Sequence, residues 1–146
     1  MRISFPAPFP CWFCEYAAGR LPWNPVATSA LAVAFVNPRQ RSRGALLVAP
    51  RRHTQTISRM TAAEMQAVAH LVQEASRALT AALDPDGLHV FCNAGQQAGQ
   101  SEEHVHFQII PRYAGLAYDF AASARHEPML ARERRELAEA VRGRIG

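Results

Sequence analysis

Residues 104 to 112 read His-Val-His-Phe-Gln-Ile-Ile-Pro-Arg, and no other stretch restricts the fold as strongly. In a strand, side chains alternate between faces, so 104, 106 and 108 share one face and 105, 107 and 109 the other. One face is then Val, Phe and Ile, which suits a core. The other is His, His and Gln, which suits chemistry. Neighbours on one face are about 6–7 Å apart, two strand rises, so the three polar side chains can line up along one ligand group. A row of imidazoles is a poor core, so the run predicts a sheet with a working polar face.

The other elements follow from their own patterns. Ala30 to Val36 alternates, with Leu31, Val33 and Phe35 on one side and small alanines on the other, which predicts a strand. Ala45 to Ala49 is a short apolar strand stopped by Pro50. Thr61-Ala62-Ala63-Glu64 has the form of a capping box. It opens a long helix whose apolar stripe is Val68, Leu71, Val72, Ala75, Leu79 and Leu83. Asp84-Pro85-Asp86-Gly87 ends that helix. Leu88 to Asn93 is a further strand, and a glycine loop at 95–99 leads to the His run. That connection is short enough to make the two strands an antiparallel pair. Pro128 to Arg142 carries a thinner helical stripe of Leu130, Leu137 and Val141. The expected class is α+β, with helices on one face of an antiparallel sheet.

Length and composition bound the rest. A chain of 146 residues with 49% hydrophobic residues suits a single domain spanning 1–146 and argues against disorder. No apolar run approaches the ~20 residues of a membrane span. Residues 1–10 are Pro-rich and expected to form an extended arm. Their short apolar stretch is broken by Pro6, Pro8 and Pro10, unlike a secretion signal, so a cytoplasmic location is expected. Three cysteines in such a chain argue against a disulfide scaffold.

All sixteen basic residues are Arg, and the net charge is +4. A lysine nucleophile or Schiff base is thereby excluded, and basic side chains must meet oxyanions with guanidinium. The balance suits an anionic ligand such as a nucleotide. It is too small and scattered for a protein that binds nucleic acid, and no such partner is expected. Arg39, Arg41 and Arg43 alternate in a polar loop and are expected to be solvated, with contact to a polyphosphate as the alternative.

Three constellations carry chemistry. In the His row, a neutral imidazole can act as nucleophile toward phosphorus, as base or as metal ligand. The loop Asn93 to Ser101 contains Gly95 and Gly99, which let backbone N–H groups approach an anion, and Ser101 adds a hydroxyl donor. Cys11-Trp12-Phe13-Cys14 places two thiols at zinc spacing in a segment expected to be a helical turn or a metal knuckle. No strand precedes it, which disfavours a redox pair. Two further ligands are needed, with histidines the candidates, because Cys92 falls inside a presumed buried strand. His70, His89 and His126 carry little. Glu102, Glu103 and Asp119 show no pairing that suggests carboxylate catalysis.

Taken together, these residues resemble the histidine triad (HIT) family. The resemblance covers Cys11 to about Tyr113 and rests on Cys11-Trp12-Phe13-Cys14, Ala34 to Asn37, Gly44 to His53, and above all Asn93 to Arg112. It implies a five-stranded antiparallel sheet with one long and one shorter helix, usually paired into a homodimer. It implies nucleotide binding and attack on the α-phosphate by the middle histidine, His106, through a covalent nucleotidyl intermediate. The backbone carbonyl of His104 would hold the Nδ1–H of His106, leaving Nε2 to attack. Asn37 matches the position that holds ribose, and Asn93 and Ser101 match positions near the phosphate, with Gly99 and Gln100 in the same binding loop. Members with the Cys-x-x-Cys bind a structural zinc; the matching ligands here are Cys11, Cys14, His53 and His104.

One departure stands out: Gln108 occupies the place of the family's third histidine. That resembles the transferase and phosphorylase branches. An amide can orient a phosphoryl oxygen but cannot shuttle a proton at pH 7. The leaving group must then depart without that help, as a phosphate can and an amine cannot. A phosphoanhydride such as a purine nucleotide or dinucleoside polyphosphate is the expected substrate, split by hydrolysis or transfer. The rival expectations are a nucleotide-binding sensor with little turnover, and a hydrolase with one catalytic metal ion on His104 and His106. The family's histidine after a Pro-Gly is also absent, with Arg43-Gly44-Ala45 standing there.

Overall fold

The structure, a computed structural model, describes residues 11–21 and 24–115. Five strands form one sheet: β1 (Pro25–Thr28), β2 (Ala32–Val36), β3 (Leu46–Pro50), β4 (Gly87–Cys92) and β5 (Phe107–Arg112). Their order is β1-β2-β3-β5-β4, and every pairing is antiparallel. Two helices, α1 (Trp12–Ala17) and α2 (Ala62–Leu83), complete the described elements. The Pro-rich arm and the helix expected at 128–142 lie outside the described residues.

Alternation in the central strands builds two cores. Ala32 and Ala34 of β2, Leu46 and Val48 of β3, and Ile109 of β5 face α2, where Val68, Leu71, Ala75 and Leu79 cover them. The two alanines are small, which lets the helix approach the sheet closely. Val33, Phe35, Leu47 and Ala49 face the opposite side and pack with Phe13 of α1. The helices therefore lie on opposite faces, which corrects the expectation of one covered face. The reason is physical: β2 and β3 are apolar on both sides, with only Val36 exposed among their ten residues. Both faces need cover.

The start of α2 is as expected. Thr61 Oγ1 accepts from the Glu64 amide at 3.2 Å, and a Glu64 carboxylate oxygen accepts from the Thr61 amide at 2.8 Å. The same carboxylate takes both nitrogens of a forked pair from Arg52, at 2.6 and 2.8 Å. The helix ends at Asp84 in the left-handed conformation (φ 44°), which Asp tolerates better than most residues. Among the described residues no helix is long and apolar enough to cross a membrane.

Two boundaries differ from expectation. The resemblance implied a fifth strand that the residue patterns did not place; it is β1, a four-residue edge strand that opens on Pro25, and proline is tolerated at such an edge. β5 begins at Phe107 rather than His104. Upstream, the Val105 amide donates to the carbonyl of Thr54 at 2.7 Å instead of joining the sheet ladder. The alternation survives that change: His104 and His106 meet Phe13 on the α1 side, while Phe107 and Ile109 pack on the α2 side.

Glu64 is buried, and hydrogen bonds from Arg52 and Thr61 hold its carboxyl down at about 2. A depressed carboxyl stabilises the fold above its unfolded value near 4.5, and that stabilisation is lost as pH falls toward 2. Glu64→Ala is expected to cost about 1–2 kcal/mol in urea unfolding at pH 7, the scale of a lost cap. The gap between wild type and variant should narrow steadily from pH 4.5 downward; a gap unchanged at pH 3 would contradict this role.

Candidate active site

His104 reaches three partners at once. Its Nε2 lies 2.8 Å from the Pro50 carbonyl. A carbonyl only accepts, so Nε2 carries the proton and Nδ1 holds a lone pair. That lone pair faces Cys11 Sγ at 3.5 Å and Cys14 Sγ at 3.7 Å. The His104 carbonyl in turn accepts from His106 Nδ1 at 2.9 Å. His106 therefore presents Nε2 as its unprotonated atom.

His106 is buried to 8% exposure yet lines an open cavity of about 310 Å³. Burial holds its imidazole below the ordinary value, the bond to the His104 carbonyl works against that, and Arg41 adds to the lowering. The ring is neutral at pH 7, as a nucleophile or base must be. Burial likewise pushes His104 down to about 4.

α1 supplies the roof. Cys11 caps its N-terminus and the helix advances only to Ala17. Phe13 stacks on both imidazoles, with centroids 5.2 Å from His104 and 4.8 Å from His106, and meets Phe35 edge-on at 5.7 Å. Trp12 and Tyr16, from the same helix, line the cavity beside Phe13.

Cys11, Cys14, His53 and His104 bring one ligand atom each to within 4.8 Å of one another. Cys14 Sγ is 3.4 Å from His53 Nδ1. In a tetrahedron with Zn–S near 2.3 Å and Zn–N near 2.0 Å, ligand atoms lie about 3.3–3.8 Å apart. The donor set and spacing fit such an ion, and the cluster does not include His106. Burial, with Cys11 next in effect, pushes the Cys14 thiol up to about 11; a bound cation would be needed to draw off that proton.

The residues singled out from sequence divide into two groups. Asn37, Ser101, His106 and Gln108 line the cavity together. Asn37 Oδ1 accepts from the Arg39 amide at 2.8 Å. Gln108 is buried opposite Leu47 in the β3–β5 register. The others do not line the cavity. Asn93 Nδ2 donates to the Gly99 carbonyl at 3.0 Å and braces the loop. Gly99 takes a positive φ (79°) that closes the loop's single turn of 3-10 helix. Gln100 spends its side chain internally: it accepts from the Gly95 amide at 2.7 Å and donates to the carbonyls of Gln55 (2.7 Å) and Glu102 (2.9 Å). The His104 ring turns to the cysteines and Pro50, so only its carbonyl serves the site, and a catalytic ion shared by His104 and His106 is disfavoured.

The aromatic wall of Trp12, Phe13 and Tyr16 was missed from sequence, as was Glu102 as a lining residue, while Arg39 and Arg41 line the cavity although a solvated loop was the first expectation for them. The aromatics did carry a signal. Trp12 and Tyr16 are spaced by four, which places them on one helical face.

The HIT domain family matches this chain over residues 19–115. "Protein hit" of Bacillus subtilis is 35% identical over 103 residues, covering 70% of this chain and 71% of that protein. An adenosine 5'-monophosphoramidase of Schizosaccharomyces pombe is 29% identical, covering 92% of this chain and 98% of its own. Among solved structures, a protein from Streptococcus mutans superposes with a TM-score of 0.84 at 30% identity, over 96% of this chain and 88% of that one. A Zn-bound histidine triad family protein from Mycobacterium smegmatis superposes with a TM-score of 0.70 at 26% identity, over 92% and 94%. Together with the placement of His104, His106 and the cysteine pair, these matches show that the chain belongs to the HIT family.

Proposed function

We propose that the protein is a nucleotidyl hydrolase or transferase that works through a covalent nucleotidyl-His106 intermediate. The observation that carries this reading is the bond from His106 Nδ1 to the His104 carbonyl, 2.9 Å long. It leaves an unprotonated Nε2 at a cavity lined by Asn37, Ser101 and Gln108. That nitrogen attacks the α-phosphorus of a bound nucleotide. The Nε2–P bond forms, the bond from phosphorus to the leaving oxygen breaks, and its electron pair departs with the leaving group. Water or another acceptor then attacks phosphorus, the P–N bond breaks and its electron pair returns to Nε2. The proton of the acceptor goes to solvent or to the product phosphate.

The remaining residues orient and stabilise. Asn37 offers an amide to the ribose, and Ser101 a hydroxyl to the phosphoryl oxygens. Gln108 donates to the same oxygens and holds the phosphorus in line. Trp12, Phe13 and Tyr16 give a flat apolar wall for a purine base. A relative that bears the name adenosine 5'-monophosphoramidase supports a nucleotide as ligand. Pairing into a homodimer belongs to the same reading. A second reading, a nucleotide sensor with little turnover, is favoured by Gln108, which cannot protonate a leaving group.

Cys11, Cys14, His53 and His104 would hold a zinc ion, as supported by their convergence and by the Zn-bound Mycobacterium smegmatis relative. With four protein ligands and no open position, its part is structural: it ties the N-terminal segment to the start of the His run.

Two outcomes test this. His106→Ala should lower kcat by about 10³–10⁴-fold with the melting temperature little changed; full activity in that variant overturns the proposal. Cys14→Ser should lose bound zinc by elemental analysis and melt about 10 °C lower, the scale of 2–3 kcal/mol in a domain this size. Chelation of the wild type should then inactivate slowly, in step with loss of structure. Instant loss of activity with the fold intact would instead mark a catalytic ion.

A further inference from the structure

The loop joining β2 to β3 is knotted by one side chain. Gln40 Nε2 donates to the carbonyls of Asn37 (2.5 Å) and Ala45 (3.0 Å). Its Oε1 accepts from the amides of Gly44 (2.8 Å) and Ala45 (3.1 Å). The loop backbone is thus fixed on both sides of Gln40. Its two neighbours, Arg39 and Arg41, line the same cavity as His106. Arg43, the next in the alternation, lines a separate recess with Ala82, Leu83 and Tyr113.

Arg20 and Arg52 are each paired with a carboxylate. Arg39 and Arg41 are not: among the described residues neither guanidinium has a hydrogen bond or ion pair, and Glu102, which also lines the cavity, pairs with neither. Two unpaired like charges lining one concave site repel each other and favour an anion with charge at more than one place. An α-phosphate bound at His106 presents its charge at one place only. A chain of phosphates continuing beyond it offers several oxyanions, each able to accept a guanidinium fork. A departing amine offers none.

We infer that Arg39 and Arg41 grip the phosphates of the leaving group, so that the substrate is a nucleoside or dinucleoside polyphosphate rather than a nucleoside phosphoramidate. The inference rests on the docking of an α-phosphate at His106 proposed above. It also accounts for Gln108. When the bridge from the α-phosphorus breaks, the electron pair stays on the departing phosphate oxygen, and two guanidiniums beside it replace the proton donor that the amide cannot be.

The test compares ligands that differ only beyond the α-phosphate. In the full-length His106→Asn protein, calorimetry should find adenosine triphosphate bound at least about tenfold tighter than adenosine monophosphate. Arg39→Ala and Arg41→Ala should each remove about tenfold from the triphosphate affinity, with the monophosphate changed less than about threefold. Arg43→Ala removes the same charge from the same loop and should leave both affinities alone. In the protein with His106 intact, the Arg39→Ala/Arg41→Ala pair should lower kcat/KM for diadenosine tetraphosphate about a hundredfold and spare adenosine 5'-phosphoramidate. Equal affinity for mono- and triphosphate, an Arg43→Ala effect as large as that of Arg39→Ala, or an equal fall for both substrates overturns the inference. Arginine-dependent triphosphate binding without turnover of either substrate would sustain the clamp and sink the nucleotidyl-transfer reading instead.

Discussion

His104 is the joint on which the site depends. Its Nε2 is held by Pro50, its Nδ1 faces the two cysteines, and its carbonyl holds His106. Each of these contacts settles the next. The bond to Pro50 sets the tautomer, the tautomer aims a lone pair at the thiols, and the fixed backbone orients the neighbouring imidazole. A residue with both ring nitrogens and its carbonyl engaged has little freedom left, which is how one strand end can hold a second ring in a single orientation.

The sheet makes this arrangement affordable. β2 and β3 are apolar on both faces, so α2 covers one side and the six-residue α1 covers the other. A helix that short is unstable alone. It is held by Phe13 in the core and by cysteines at its start that meet histidines from two distant segments. The same segment therefore serves three ends: it closes a core, offers metal ligands and roofs the cavity with Trp12 and Tyr16. The loop 51–56 is tied in as well. Thr54 takes the Val105 amide, Gln55 takes Gln100, and Gln55 also bonds Glu103.

Much of this was legible because period and capping are local signals. The alternation of His104, His106 and Gln108 against Val105, Phe107 and Ile109 was plain, and so was the Thr61–Glu64 box. What failed was information that lies between elements. Nothing in Trp12-Phe13-Cys14 says on which face of a sheet a short helix will dock. Asn93 and Gln100 have the polarity of ligand-binding residues, yet they satisfy backbone groups of their own loop. For Arg39 and Arg41 the sequence left a solvated loop and a polyphosphate contact both open, because it does not show that Gln40 ties the loop that carries them. β1 was too short, and opened on a proline, to leave a periodic trace.

The most direct measurement is the fate of the phosphorus atom. Wild-type protein incubated with α-labelled adenosine triphosphate or diadenosine tetraphosphate, quenched in denaturant at alkaline pH and digested, should carry one nucleoside monophosphate on the peptide containing His106, attached through Nε2 and released by acid. An adduct on another residue, or turnover with no adduct even when quenched within a single catalytic cycle, would contradict the account.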